Sequence, residues 1–268
     1  MPLTNKEEIS FASNESLEED LDQYDTLPED THVLHLWEPL AFKIDEDFEF
    51  VHHGFLFTIL SSLLYLIAFP ILFLLDKVML DFSVDGIEKL HYMETGKITV
   101  SNHVHFLDCT MIGLANFPEK TYFTSLESNF RIPIVKQLIT LLNTIPIPTN
   151  RKYLPSFAHS IDELLQNGNT IHFYPEASLW PYSRKLRSFK NGAFSFAVEN
   201  QVPIVPCVFT FHNPTGIRSL FKKKPFVKMT ILDPIYPNSD LSTGEAKIDL
   251  KEKVHDQMTQ KIKEIYKS

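Results

Sequence analysis

The longest apolar run in the chain is GFLFTILSSLLYLIAFPILFLL, residues 54–75, which holds no charged side chain. At about 1.5 Å per residue, a helix of that length matches a hydrocarbon layer ~30 Å thick. The run begins after residue 50, behind an acidic arm and without a small-residue cleavage signature, so it does not read as a signal peptide. Pro70 predicts a kink or a break. Three readings stand open: a membrane-spanning helix, a kinked pair of helices in one leaflet, and a buried core helix. Length and lack of charge favour membrane insertion, whereas Ser61, Ser62 and Tyr65 weigh against a simple span.

After this run the pattern alternates. Residues 81–90 read as a short strand and turn, 96–102 (GKITVSN) as a buried strand, 107–117 as a short helix, 120–126 as a strand and 131–144 as an apolar helix. Residues 154–168 form an amphipathic pattern closed by Gly168. A strand over 169–176, a helix over 191–201, a buried strand over 202–212, a late edge strand over 225–237 and a charged amphipathic helix over 244–267 complete the series. No internal repeat is present. Strands alternating with helices predict an α/β fold with a mixed, largely parallel central sheet flanked by helices, preceded by an N-terminal apolar, membrane-associated helical element. Three segments follow: an acidic, partly disordered extension over residues 1–53, an apolar helix or helix pair over 54–80, and the α/β domain over 81–268.

Charge changes the picture in one respect. Of a formal net charge of −9, residues 1–50 supply 15 acidic and 2 basic side chains, so the rest of the chain carries a net +4. An acidic arm therefore precedes a mildly basic body, compatible with an anionic ligand or membrane surface. No Lys/Arg stripe interleaved with aromatics stands out, and a nucleic-acid partner is not expected. Cys109 and Cys207 lie far apart in apolar segments, which argues against a disulfide scaffold and a cysteine-rich zinc site and fits a reducing compartment. His32, His35, His52 and His53 read as surface histidines. RSLFKKKPF (218–226) mixes cations with apolar side chains, as an interfacial patch or a solvated loop would.

The candidate chemistry sits in SNHVHFLD, residues 101–108. His103 falls just after a strand and just before a helix, where open α/β sheets place ligand-binding groups. A neutral imidazole accepts a proton near physiological pH, and a carboxylate on its other nitrogen fixes the tautomer. Asp108, five residues on, is placed to do so by folding back across the turn. Two other readings remain open for this octet: a metal site begun by His103-x-His105, and a helix cap that satisfies backbone groups. No second His/Asp cluster in the sequence supports the metal.

NHVHFLD resembles the Asn-His-x4-Asp motif of the glycerolipid acyltransferases, the family that includes the lysophosphatidate (1-acylglycerol-3-phosphate) acyltransferases. Three further blocks follow in the family's order: NTIPIPTNR (143–151), FYPEASLWPYSRKLRSFKNGAF (173–194) and VPIVPCVF (202–209). The similarity covers roughly residues 80–235. The third block usually reads Pro-Glu-Gly-Thr-Arg; here Ala177 stands in the glycine's place and no arginine occupies the matching position. In the second block Arg151 follows Pro146 at a longer spacing than usual.

The resemblance implies an O-acyltransferase of phospholipid synthesis, with residues 81–268 as its catalytic domain. It would move a fatty acyl group from acyl-CoA or acyl-carrier protein, its co-substrate and sole cofactor-like requirement, to the hydroxyl of a lysophospholipid such as lysophosphatidate. His103 would be the general base and Asp108 its orienting partner, with no metal and no covalent role for Ser101 or Cys109. Asn102, Arg151, Glu176, Arg184, Arg187 and Lys190 are the candidate substrate-binding residues, and Trp180 and Tyr182 either line an altered acceptor pocket or pack a loop. The resemblance also implies membrane lipids as partners and an active site on the cytoplasmic face of the inner or cell membrane. Two alternatives belong to other classes: a non-catalytic lipid-binding protein of the same fold, and a metallohydrolase.

Overall fold

The computed structural model describes residues 28, 31, 40–91, 93, 95–214, 216–220, 222 and 224–267. Most of the acidic extension, His32, His35, Phe221 and the side chain of Arg218 lie outside the described residues. In chain order the elements are α1 (Phe55–Leu80), β1 (Ser83–Asp85), α2 (Glu88–His91), β2 (Lys97–Ser101), α3 (Asp108–Asn116), β3 (Thr121–Leu126), α4 (Val135–Leu141), β4 (Thr144–Ile147), α5 (Leu154–Gln166), β5 (Thr170–Phe173), α6 (Gly192–Asn200), β6 (Ile204–His212), β7 (Phe226–Ile231) and α7 (Thr243–Lys267). Short 3-10 turns cover Glu127–Arg131, Arg151–Tyr153 and Gly216–Leu220.

The strands form one sheet in the order β1-β7-β6-β2-β5-β3-β4. Every strand pair is parallel except β6 with β7. Side-chain alternation splits the core between the two faces. Ile98, Val100, Ile171, Phe173, Ile204 and Val208 pack with α5, α6 and α7 on one face. Val205, Cys207, Phe209, Val227 and Met229 pack with Leu90, Met111 and Ile112 from α2 and α3 on the other. Gly96 lets the start of β2 pass α5 closely, since a Cβ there would strike the Leu165 carbonyl oxygen. Phe42, Ile44 and Phe50 are buried against Phe130 and Phe157, so the end of the extension joins the core.

Three elements differ from the sequence reading. The helix expected over 131–144 is limited to α4, because Ile134 (φ 66°) and Asn143 (φ 60°) hold left-handed backbone at its two ends. The residues after it form β4, a strand the sequence reading omitted. The late strand, expected at an edge, is internal: β1 pairs with β7 and takes the edge position.

Helix α1 is continuous through Pro70, and only 11% of its most apolar 18-residue window is buried. This sets aside the buried core helix. Its inward stripe is formed by Ser61, Tyr65, Asp76 and Leu80. The Tyr65 hydroxyl donates to the Leu142 carbonyl (3.2 Å) and accepts from Asn143 (3.3 Å), while Thr110 donates to Asp76 (2.9 Å). The helix thus lies lengthwise against the domain, with Leu66, Ile67, Phe73, Leu74 and Val78 exposed.

Candidate active site

Strands β2 and β5 run parallel, with Val100 opposite Phe173, so the loops after them leave the same edge of the sheet side by side. The first loop carries Asn102, His103 and His105; the second carries Tyr174 and Glu176. Strand β6 flanks β2 on its other side and extends past it, Ser101 lying opposite Cys207. The Asn102 side chain spans this gap, donating to the Phe209 carbonyl (2.9 Å) and accepting from the Phe209 amide (2.8 Å). That pair of bonds fixes the point where the chain leaves β2.

Asp108 opens α3 and is fully buried, while the His103 side chain is 23% exposed. Asp108 Oδ2 lies 2.7 Å from His103 Nδ1 and also accepts the amides of Val104 (3.2 Å) and His105 (3.4 Å). The contact to the imidazole and the capping of the turn therefore fall to one oxygen. Burial alone would raise the Asp108 carboxyl, but His103 and the hydrogen bonds from His103, Tyr174 and the His105 amide hold it below its ordinary value. An ionised carboxylate accepts only, so Nδ1 is the donor, and in the neutral imidazole the lone pair falls on Nε2.

The Tyr174 hydroxyl donates to Asp108 Oδ1 at 2.8 Å, and its ring stacks on the His103 imidazole at 3.8 Å with 19° between planes. Beneath it lies His172, fully buried between the hydroxyls of Thr99 (2.9 Å) and Ser101 (3.3 Å). Burial depresses His172 to about 3, so it is neutral. Desolvation, with Asp108 adding to it, pushes the Cys109 thiol up to about 12. Cys109, with its thiol raised, stays protonated at neutral pH, and Ser101 is fully buried against His172, whose depressed pKa makes it a weak base.

Glu176 and Arg187 form a buried pair, Nη2 to Oε2 at 2.8 Å. Glu176 also accepts the Arg187 amide (3.1 Å) and the His103 amide (3.3 Å), and Arg187 donates to the Ser178 hydroxyl (3.1 Å) and carbonyl. Burial raises the Glu176 carboxyl against the pull of Arg187. The Arg187 guanidinium sits 4.4 Å above the Trp180 ring. Trp180 and Tyr182 donate their amides to the carbonyls of His103 (3.0 Å) and Val104 (2.7 Å), which clamps the two loops together.

The remaining candidates lie farther out. Arg184 is exposed and stacks over Tyr266 of α7 at 5.3 Å, and Lys190 is exposed just before α6. Arg151 is exposed beyond β4, at the same edge of the sheet as His103 but three strands away, ~14 Å at 4.8 Å per strand. His105 turns from the pair: its Nδ1 accepts the Leu107 amide (3.1 Å), and burial lowers its pKa. Among the described residues, no three His, Cys, Asp or Glu side chains converge as a metal site would require. The sequence reading missed Tyr174; its signal was parity, two residues after His172 on the same sheet face.

The Acyltransferase family model matches residues 81–210, the span that holds every one of these contacts save that to Tyr266. The 1-acyl-sn-glycerol-3-phosphate acyltransferase BAT2, chloroplastic, of Brassica napus is 28% identical over 178 residues, 64% of this chain and 50% of that protein. The 1-acyl-sn-glycerol-3-phosphate acyltransferase of Saccharomyces cerevisiae is 26% identical over 197 residues, 70% of this chain and 63% of that one. The chain spans about half the length of the plant relatives it matches. In fold it is similar to the crystal structure of the 1-acyl-sn-glycerophosphate acyltransferase PlsC from Thermotoga maritima, with a TM-score of 0.52 and 20% identity over 79% of this chain and 95% of that one. Over residues 81–210 the chain thus matches the Acyltransferase family, and it is similar to the 1-acyl-sn-glycerol-3-phosphate acyltransferases.

Proposed function

We propose that this chain transfers a fatty acyl group from a thioester donor to the free hydroxyl of a lysophospholipid, with lysophosphatidate, the acceptor implied by the relatives' names, as the first candidate. The observation that carries this reading is the His103–Asp108 pair at the carboxyl edge of the sheet, 2.7 Å apart, with Nε2 left to accept a proton. His103 Nε2 takes the proton of the acceptor hydroxyl as that oxygen bonds to the thioester carbonyl carbon. The tetrahedral oxyanion then collapses, the C–S bond breaks, and the departing thiolate takes the proton back from His103. Ester and free thiol are the products, and the atoms balance with the thioester, acyl-CoA or acyl-carrier protein, as the single co-substrate. Asp108 steadies the imidazolium formed in between. A positioned base of this kind contributes roughly 10²–10⁴ in rate.

The exposed cations Arg151, Arg184 and Lys190 are suited to an acceptor phosphate. Helix α1, docked lengthwise by polar contacts and apolar on its outer faces, supports insertion into one leaflet, which would bring the site to the lipid surface. A cytosolic thioester donor places that site on the cytoplasmic face of the membrane. The test is acyl transfer by purified, detergent-solubilised protein, with oleoyl-CoA or an acyl-carrier thioester and a panel of lysolipids, read by mass spectrometry. Diacyl product is expected from the native chain, falling at least ~10²-fold in His103→Ala. Product formation undiminished in His103→Ala, or no product from any pair with folded protein, refutes the reading.

A further inference from the structure

We infer that Tyr174 is a positioning residue for the His103–Asp108 pair, holding the carboxylate through its hydroxyl and the imidazole through its ring; this rests on the acyl-transfer reading above. The geometry gives the residue two separable holds. Its hydroxyl donates to Asp108 Oδ1 at 2.8 Å. That occupies the oxygen facing away from the imidazole and leaves Oδ2, with its two backbone donors, aimed at Nδ1. Its ring lies nearly parallel to the imidazole at 3.8 Å, which sets the plane of the base and hence the direction of Nε2. When His103 takes up a proton, the imidazolium faces the electron-rich side of the phenol, an attraction of cation–π type.

The residue itself is held from below. The His172 ring meets the Tyr174 ring edge-on at 4.5 Å, and His172 is fixed between Thr99 and Ser101. The positions of β2 and β5 are in this way transmitted to the base by a continuous set of contacts. Burial and the adjacent Asp108 charge keep the phenol protonated far above working pH, so it remains a donor throughout a catalytic cycle. A phenylalanine at this position would supply the stack and not the hydrogen bond, and a leucine neither.

The experiment compares Tyr174→Phe and Tyr174→Leu with the native chain and His103→Ala in the acyl-transfer assay, separating kcat from KM. In parallel, ¹⁵N NMR of histidine-labelled protein reads the His103 imidazole, assigned by its loss in His103→Ala. The expected result is kcat down about tenfold in Tyr174→Phe, the scale of one hydrogen bond to a charged group, with acceptor KM within about twofold. A further fall of about tenfold is expected in Tyr174→Leu as the stack is lost. In the native chain the imidazole should show the Nδ1–H tautomer, with a mixed signal in Tyr174→Phe. Native kcat in Tyr174→Phe beside an inactive His103→Ala overturns the inference and leaves the acyl-transfer reading standing. A lower kcat with an unchanged His103 signal also overturns it, because the loss then arises elsewhere. Full activity in His103→Ala overturns the general-base reading and the inference with it.

Discussion

Arg187→Met separates two roles that one arginine can play at this site. The sequence reading makes Arg187 a candidate substrate-binding residue, a guanidinium being suited to phosphate; its geometry makes it the counter-ion of Glu176. Both side chains are almost wholly buried, and the pair is closed at 2.8 Å. Removing the cation leaves a buried carboxylate with two backbone amides as its remaining donors, those of His103 and residue 187. Breaking one side of such a pair costs roughly 3–5 kcal/mol. For a chain of this size that is a fall on the order of 10 °C in Tm. Thermal unfolding in detergent, followed by circular dichroism, measures it. Glu176→Gln combined with Arg187→Met should recover part of the loss, since no unpaired charge remains. Activity should fall in the single variant through kcat, because Glu176 also holds the His103 amide. A Tm within about 1–2 °C of the native chain, with acceptor KM raised and kcat kept, would refute the argument and return Arg187 to the phosphate.

Two other expectations are independent of it. Ala177 holds φ 64°, a left-handed backbone that costs a non-glycine residue about 1–2 kcal/mol, so Ala177→Gly should raise Tm by a few degrees; no rise would mean the strain is relieved elsewhere. His172 is depressed to about 3 in the fold against ~6.5 unfolded, so its contribution to stability is complete above pH ~6.5 and declines by roughly 1.4 kcal/mol per pH unit as pH falls below it. His172→Gln should flatten stability against pH between ~6.5 and 5 in urea titrations, with His105, also depressed, accounting for part of the slope that remains; an unchanged slope would contradict it.

The parts of the fold that the sequence disclosed are those written in local alternation: β2, β5, β6 and the helices that follow them. What escaped has physical causes. Pro146 makes TIPI read as something other than a strand, yet among the described residues β4 has a neighbour on one side alone, and an edge strand tolerates the missing donor. Strand β1 is three residues long, too short to announce that it would cover β7. The apolar run over 131–144 carried no visible stop, because its ends are set by left-handed residues other than glycine, Ile134 and Asn143. For α1 the residues announce apolarity without orientation. Which stripe faces the domain is decided by Tyr65 and Asp76 meeting partners from α3 and the turn before β4, distant in the chain.

The site divides along the same line. His103 and Asp108 are five residues apart and their contact is local, so spacing alone presented it. Tyr174, Glu176 and the 178–187 loop reach His103 only because β2 and β5 are neighbours, and no window of sequence contains that fact. The departures in the third block then acquire a structural sense. Ala177 holds left-handed backbone in the glycine's place, and Arg187, farther along the block, folds back onto Glu176. The residues in between are used to clasp: Trp180 and Tyr182 give their amides to the His103 loop, and the Trp180 ring lies under the guanidinium. A loop bonded in this way holds the His103 backbone in place and engages Arg187 with Glu176. On the acyl-transfer reading proposed above, discrimination among lysolipid head groups would rest on the exposed cations Arg151, Arg184 and Lys190, where a change of residue should alter binding without disturbing His103.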